Sequence, residues 1–292
     1  MYYSPLRYPG GKAKLAPFME LMMERLGHKK GIYIEPFAGG AAVAIELLER
    51  EIAGKIVIND YDKGVYSFWR SMLDETDRFV RDIENVPLTI NEWDRQHYIY
   101  TNRGNKYSYD LGFATFYLNR TNRSGIIKGG MIGGREQSGS WTMDVRFNRQ
   151  HLIERIEKIA EKKENIILYN KDIRSFVCNY LPKFQDNALV YFDPPYYNKG
   201  KQLYLNFFDH NDHVDIENLI RNSVLCDWIL TYDDAFEIEK IYSSSKIYKF
   251  DLSYSATERR MANELMMFKN TISVPNEMEL NEKNIKINLR SL

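Results

Sequence analysis

Five short apolar segments, each running into an acidic or polar turn, limit what this chain can fold into more than any other feature. They are "IYIEPF" (32–37), "KIVIND" (55–60), "NIILYNKD" (165–172), "ALVYFD" (188–193) and "DWILTYDD" (227–234). Helical patterns lie between several of them. "AAVAIELLER" (41–50) is rich in good helix formers, and "HLIERIEKIAEKKEN" (151–165) repeats apolar residues at three- and four-residue spacing. Strands alternating with helices predict βαβ units and a mainly parallel sheet. Two late segments, 246–252 and 263–269, have no full helix between them and predict an antiparallel pair that closes the sheet. Open parallel sheets bind ligands at the carboxyl ends of their strands. Four acids gather at such ends: Glu35, Asp60, Asp172 and Asp193.

The alternation breaks from about residue 65 to 150. This region holds "FYLNRTNRSGI" and a loop with six glycines between Gly125 and Gly139. The chain as a whole is neutral, with 40 Lys+Arg against 40 Asp+Glu, which argues against indiscriminate polyanion binding. Residues 101–150, however, carry eight cations against three acids. A basic, aromatic, glycine-rich insertion in an α/β core reads as a recognition surface. A hydrophobic share of 44% with 27% charged is ordinary for a globular chain. No stretch reaches the roughly 18–20 apolar residues of a membrane span. Two cysteines form neither a disulfide framework nor a zinc ligand set, which suits a reduced, cytoplasmic setting. The tail after Lys269 is polar and asparagine-rich and reads as a peripheral extension.

"LVYFDPPYYN" (189–198) carries the sharpest chemical signal. Proline has no N–H, and the residue before a proline is pushed into extended geometry. Asp193 and the Pro194 carbonyl therefore become two stiffly held acceptors with no backbone donor between them, suited to an amino group with two N–H bonds to give. After Pro195, Tyr196 reads as an exposed aromatic face on which a planar ring can stack. Glycines in "EPFAGGAA" let the backbone approach a ligand before a helix starts. That loop is not G-x-G-x-x-G, so a nicotinamide cofactor is poorly supported, and "PGGKAK" is not a P-loop. Taken alone, Asp60 reads equally as a ribose acceptor or a helix cap.

In these residues the chain resembles the Dam-like, alpha-group DNA N6-adenine methyltransferases. "DPPY" (193–196) is similar to the family's catalytic motif, "EPFAGG" (35–40) to its S-adenosylmethionine loop, and "SPLRYPGGK" (4–12) to its N-terminal cofactor motif. The order, cofactor loop, recognition insert, then DPPY, is that of the alpha group. The resemblance implies a Rossmann-like, seven-stranded S-adenosylmethionine-dependent methyltransferase sheet with helices on both faces and an inserted, mainly helical DNA-recognition domain. The core would comprise 1–64 and 151–270, the insert 65–150 and the extension 271–292.

The implied activity is methyl transfer from S-adenosyl-L-methionine to N6 of an adenine flipped out of duplex DNA. Asp193, Pro194, Pro195 and Tyr196 would be catalytic. Tyr8, Lys12, Glu35, Phe37, Gly39, Asp60, Asp172 and Asp193 would line the cofactor site, and Asn119, Arg120, Arg123, Lys128 and Arg135 would contact DNA. The resemblance also implies a bacterial, archaeal or phage origin, with a cognate restriction endonuclease as one partner. The same acceptor pair would also serve the N4 amine of cytosine, and an inactive DNA-binding module on this fold is a further alternative. His210 and His213, with Asp209 and Asp212, lack a third firm ligand and read as helix-capping and turn residues; the chemistry needs no metal.

Overall fold

A computed structural model describes residues 3–7, 12–198, 208–255 and 259–292. Its sheet has strands β1 (Ile32–Glu35), β2 (Lys55–Asn59), β3 (Ile166–Tyr169), β4 (Ala188–Phe192), β5 (Asp227–Asp233), β6 (Lys246–Ser255), β7 (Arg259–Phe268) and β8 (Arg290–Ser291). The order is β3-β2-β1-β4-β5-β7-β6-β8. Strands β1 to β5 run parallel, and β7 pairs antiparallel with both β5 and β6. All five apolar segments and the closing antiparallel pair thus become strands. The expected seven strands gain an eighth, because the tail returns to pair Lys249 with Arg290 and Tyr248 with Ser291.

Period-two alternation sends successive strand residues into two separate cores. Tyr33, Ile56, Ile58, Leu189, Tyr191, Ile229 and Met266 point into one, together with α1 (Ala16–Arg25), α2 (Ala42–Glu49) and the helices of the insertion. Ile34, Val57, Val190, Phe192, Leu230 and Met267 point into the other, against the helices His210–Ser223 and Phe236–Ile241. A sheet buried on both faces explains why β4 has no exposed residue.

Residues between β2 and β3 form α3 (Lys63–Asp74), α4 (Thr76–Asn85), α5 (Ile90–Thr101), α6 (Tyr109–Thr121) and α7 (Arg149–Ala160). Asp62, Thr89, Ser108 and Asn148 cap four of these with side-chain acceptors. An aromatic cluster of Phe68, Phe79, Phe113, Phe116 and Phe147 locks α3, α4 and α6 together. The tail also departs from its polar reading: Ile272, Leu280, Ile285 and Ile287 are buried in the same core. Among the described residues no helix is long and apolar enough to cross a membrane.

Candidate active site

The parallel order places the ends of β1, β2, β3 and β4 side by side, and a cavity of about 240 Å³ opens there. Glu35, Asp60, Asp172 and Asp193 all line it, as do Lys12 and Phe37. The sheet brings together four acids that lie up to 158 positions apart in the sequence. Apolar walls come from Ala38, Ala41, Ile173, Pro195 and Phe208, with Phe37 and Phe208 meeting edge to face at 6.1 Å.

Each acid is held differently. Glu35 Oε1 accepts the Ala44 N–H at 2.9 Å, in the first turn of α2. Burial, opposed in part by that hydrogen bond, pushes its carboxyl up to about 8, and Asp193 adds to the rise. Asp60 Oδ2 accepts the Gly39 N–H at 2.8 Å and its Oδ1 accepts that of Asp62 at 2.8 Å. Burial, reinforced by the Asp62 charge, raises it to about 7. Gly39 thus holds Asp60, and it is Gly40 that lines the cavity. Gly39 has φ +47°, a backbone a side chain would strain. Asp172 is exposed and caps the following turn through the Ser175 N–H.

Around Asp193 the hydrogen bonds are denser. Its Oδ1 lies 3.2 Å from Lys12 Nζ and accepts the Thr231 hydroxyl at 3.0 Å. Tyr191 O–H in turn donates to Thr231 at 2.7 Å. Oδ2 makes no hydrogen bond to a described residue. Burial raises the Asp193 carboxyl, Lys12 lowers it, and the nearby Glu264 raises it further. Beyond the prolines, the N–H groups of Tyr197 and Asn198 both donate to the Asp233 carboxylate, at 2.8 and 2.9 Å, which fixes the turn.

Tyr196 corrects the sequence reading. It is buried, not exposed: its hydroxyl accepts from Lys12 Nζ at 2.6 Å and donates to Glu264 Oε1 at 2.8 Å. Tyr8 lies outside the described residues.

Asn119 is a second correction. Its amide donates to the carbonyls of Arg7 (2.7 Å) and Gly125 (2.9 Å) and its oxygen accepts the Arg7 N–H at 2.7 Å. Buried, with both amide hydrogens donated and its oxygen engaged, it stitches the N-terminal segment to α6 and is closed to solvent. Arg120 is partly buried, bonded to the carbonyls of Arg146 at 2.8 Å and Pro5 at 3.4 Å. Burial, with Arg7, Arg155 and Arg146 facing it, depresses its guanidinium to about 9. Arg123 and Lys128 are exposed on the loop after α6, and the exposed Arg135 forms a two-pronged pair with Asp94.

Two contributors, Glu264 and Asn59, escaped the sequence reading. Glu264 sits on β7, and Thr231 and Asp233 sit on β5, the strand between β7 and β4. Asn59 is buried at the end of β2 and ties the Pro36 carbonyl to the backbone of Lys171. Asp209 and Asp212 form a reciprocal cap on the helix that starts at His210, as read, but His213 is no turn residue: it is buried inside that helix and bonds Tyr232 at 2.9 Å.

Residues 8–256 match the family described as D12 class N6 adenine-specific DNA methyltransferase. The chain belongs to this family. Its members' reaction, transfer of a methyl group from S-adenosylmethionine to N6 of adenine in DNA, is therefore its activity. Curated relatives agree. Type II methyltransferase M.MjaIII of Methanocaldococcus jannaschii is 24% identical over 272 residues, 83% of this chain and 91% of that protein. Type II methyltransferase M1.LlaDCHI of Lactococcus lactis subsp. cremoris is 26% identical over 204 residues, 65% of this chain and 64% of that one. Among solved structures, the rRNA methyltransferase aviRa from Streptomyces viridochromogenes overlays with a TM-score of 0.37 at 11% identity, covering 89% and 86% of the two chains, too distantly to bear on function.

Proposed function

We propose that Asp193 and the Pro194 carbonyl take the two N–H bonds of the adenine amine, and that the acid-lined cavity at the ends of β1 to β4 holds the methyl donor. One observation carries this reading: Asp193 has one oxygen anchored by Lys12 and Thr231, while the other makes no bond to a described residue at the edge of the cavity. Anchoring without saturation is what an acceptor of a substrate proton needs. The amine of adenine is a poor nucleophile because its lone pair is delocalised into the ring. Two rigid acceptors turn it toward tetrahedral geometry and free the lone pair, so preorganisation supplies most of the catalysis. The amine sheds one proton in the reaction, and Asp193, raised by burial, is a base within reach.

The cavity suits S-adenosylmethionine in its donor set. Asp60 ends β2, where a carboxylate accepts hydroxyls of a ribose, and keeps lone pairs beyond its two backbone bonds. Phe37, Ile173 and Phe208 supply apolar contact for a purine, Asp172 lies at its rim, and Glu35 and Asp193 line the same cavity. S-adenosylmethionine supplies an electrophilic methyl group on a positively charged sulfur. Lys12 orients Asp193, and its ammonium lies 4.8 Å from the centre of the Tyr196 ring. In this reading the flipped base stacks on the Tyr196 ring while Lys12 keeps its hold on the hydroxyl.

The insertion at 65–150 is the DNA-recognition unit in this reading, joined to the core 1–64 and 151–270, with 271–292 as an extension. Exposed Arg123 and Lys128 contact phosphates directly, and Arg135 does so on leaving Asp94. Arg120 acts from within a group of four arginines: it faces Arg7, Arg146 and Arg155, and the hydrogen bonds of these guanidiniums to described residues go to main-chain carbonyls. A phosphate relieves that repulsion. The names of the curated relatives place them in type II systems. The same setting, with a restriction endonuclease as partner, fits this chain.

The test is labelled-methyl transfer to duplex DNA followed by nucleoside analysis. Wild type yields N6-methyladenine. Asp193→Asn loses about a thousandfold or more in rate, the range seen when preorganised transition-state contacts are removed, while calorimetry gives donor affinity within a few fold of wild type. An active Asp193→Asn enzyme refutes the assignment.

A further inference from the structure

Glu264 is the one carboxylate beside Asp193 that neither the motifs nor the cavity lining accounts for. It stands on β7 opposite Asp233 of β5, and it is buried. Its two oxygens reach different partners: Oε1 accepts the Tyr196 hydroxyl at 2.8 Å, and Oε2 lies 3.1 Å from Lys12 Nζ. The same ammonium is 3.2 Å from Asp193 Oδ1 and 2.6 Å from the Tyr196 oxygen. Two carboxylates therefore share one buried cation, and the phenol is clamped between the cation and the second carboxylate.

We propose that Glu264 is a positioning residue of the methyl-transfer reaction: by sharing Lys12 with Asp193 and holding the Tyr196 hydroxyl, it keeps Asp193 a strong acceptor and fixes the DPPY turn. The inference rests on the reading of Asp193 as the amine acceptor. A cation paired with Asp193 alone would neutralise it and draw it away from the amine. Splitting the cation between two acids leaves Asp193 oriented by Lys12 without being quenched. The Tyr196 clamp acts on the same loop, because Tyr196 is three residues beyond Asp193 and its side chain cannot swing away while its hydroxyl is held from both sides.

Other groups face Asp193 as well. Thr231 and Tyr191 bond to its anchored oxygen directly and in relay, from β5 and β4. Glu35 and Tyr33 of β1 and Tyr232 of β5 lie within electrostatic reach. Of all these, Lys12 and the Thr231 hydrogen bond lower the Asp193 carboxyl, and Glu264 raises it. Without the Glu264 charge, Asp193 titrates at lower pH and accepts a proton more weakly.

The experiment is a pH–rate profile for methyl transfer to duplex DNA by the full chain, with donor KM and thermal melting measured alongside. Glu264→Gln keeps an oxygen for Tyr196 and removes the charge. Its acid limb moves to lower pH, the direction expected when a neighbouring negative charge is lost. Its kcat falls at least about tenfold, with donor KM nearly unchanged. Glu264→Asp keeps the charge and withdraws it from Tyr196; its kcat falls while its acid limb stays. A folded Glu264→Gln enzyme with the wild-type limb and kcat overturns the proposal, and so does Glu264→Asp at full kcat if the glutamine variant does not fold. Asp193→Asn in the same assay separates the two readings. If it is dead while Glu264→Gln is normal, only the role of Glu264 is lost.

Discussion

Replacing Asn59 by alanine tests how the cavity floor is built. The amide donates to the Pro36 carbonyl at 2.9 Å and the Lys171 carbonyl at 3.1 Å, and its oxygen accepts the Lys171 N–H at 2.9 Å. One side chain thus joins the loops that follow β1 and β3, and both contribute walls to the donor cavity. Asn59 is 1% exposed, so water cannot take over these bonds without the structure opening. At about 1 kcal/mol net for each hydrogen bond, Asn59→Ala loses about 3 kcal/mol. Unfolding entropy near 2 cal/mol/K per residue gives this chain about 0.6 kcal/mol/K, so Tm drops by about 5 °C. Thermal melting with and without S-adenosylmethionine is the assay. Because the loops move apart at the cavity, the stabilisation by donor also shrinks and KM for donor rises. A variant that melts within about 1 °C of wild type, with unchanged donor KM, refutes the bridging role.

Glu35 ties stability to pH. Its folded carboxyl titrates at about 8 against an ordinary 4.5, so the folded protein keeps a proton that the unfolded chain releases in that window. Stability therefore falls as pH rises from 4.5 to about 8 and levels off above; Glu35→Gln flattens this slope in urea titrations, and parallel curves for the two proteins would count against it. Arg120→Met removes the most enclosed of four mutually repelling guanidiniums. Duplex DNA raises the Tm of wild type more than that of this variant, and equal shifts would exclude a phosphate beside Arg120. Asp233→Ala frees two N–H groups of the turn after the prolines. Hydrogen bonds to a charged acceptor are worth about 1.5–3 kcal/mol each, so kcat falls by about tenfold or more while donor KM holds; a loss confined to KM would contradict that role.

What could be read from the sequence was local. A proline pair forces Asp193 into place whatever surrounds it, and an acid at the end of an apolar run marks a strand terminus by itself. Glu35, Asp60, Asp172 and Asp193 were therefore legible, and the parallel sheet brought them to one cavity. Glu264 was not, because it lies 71 positions after Asp193 and reaches Lys12 only through the insertion of β7 beside β5. Asn119 misled because an asparagine beside arginine in a basic segment looks like a DNA reader; only the fold shows its amide matched to both backbone groups of Arg7. Tyr196 misled similarly, since a tyrosine after two prolines gives no hint that its hydroxyl has two buried partners. The tail's polar, asparagine-rich composition masked Ile272, Leu280 and the short alternating run of Ile285, Ile287 and Leu289, all of which pack into or against the core.

The segment Ser4–Arg7 ties the inserted helices to the loop after β1 as one mechanical unit. Ser4 donates to the Gly40 carbonyl at 2.5 Å, and three positions later Arg7 is gripped by Asn119. Gly125 packs so close beneath it that a Cβ would sit 2.3 Å from the Arg7 oxygen. Trimming those few residues would remove a strap that links α6 to the cavity's glycine loop independently of the shared core.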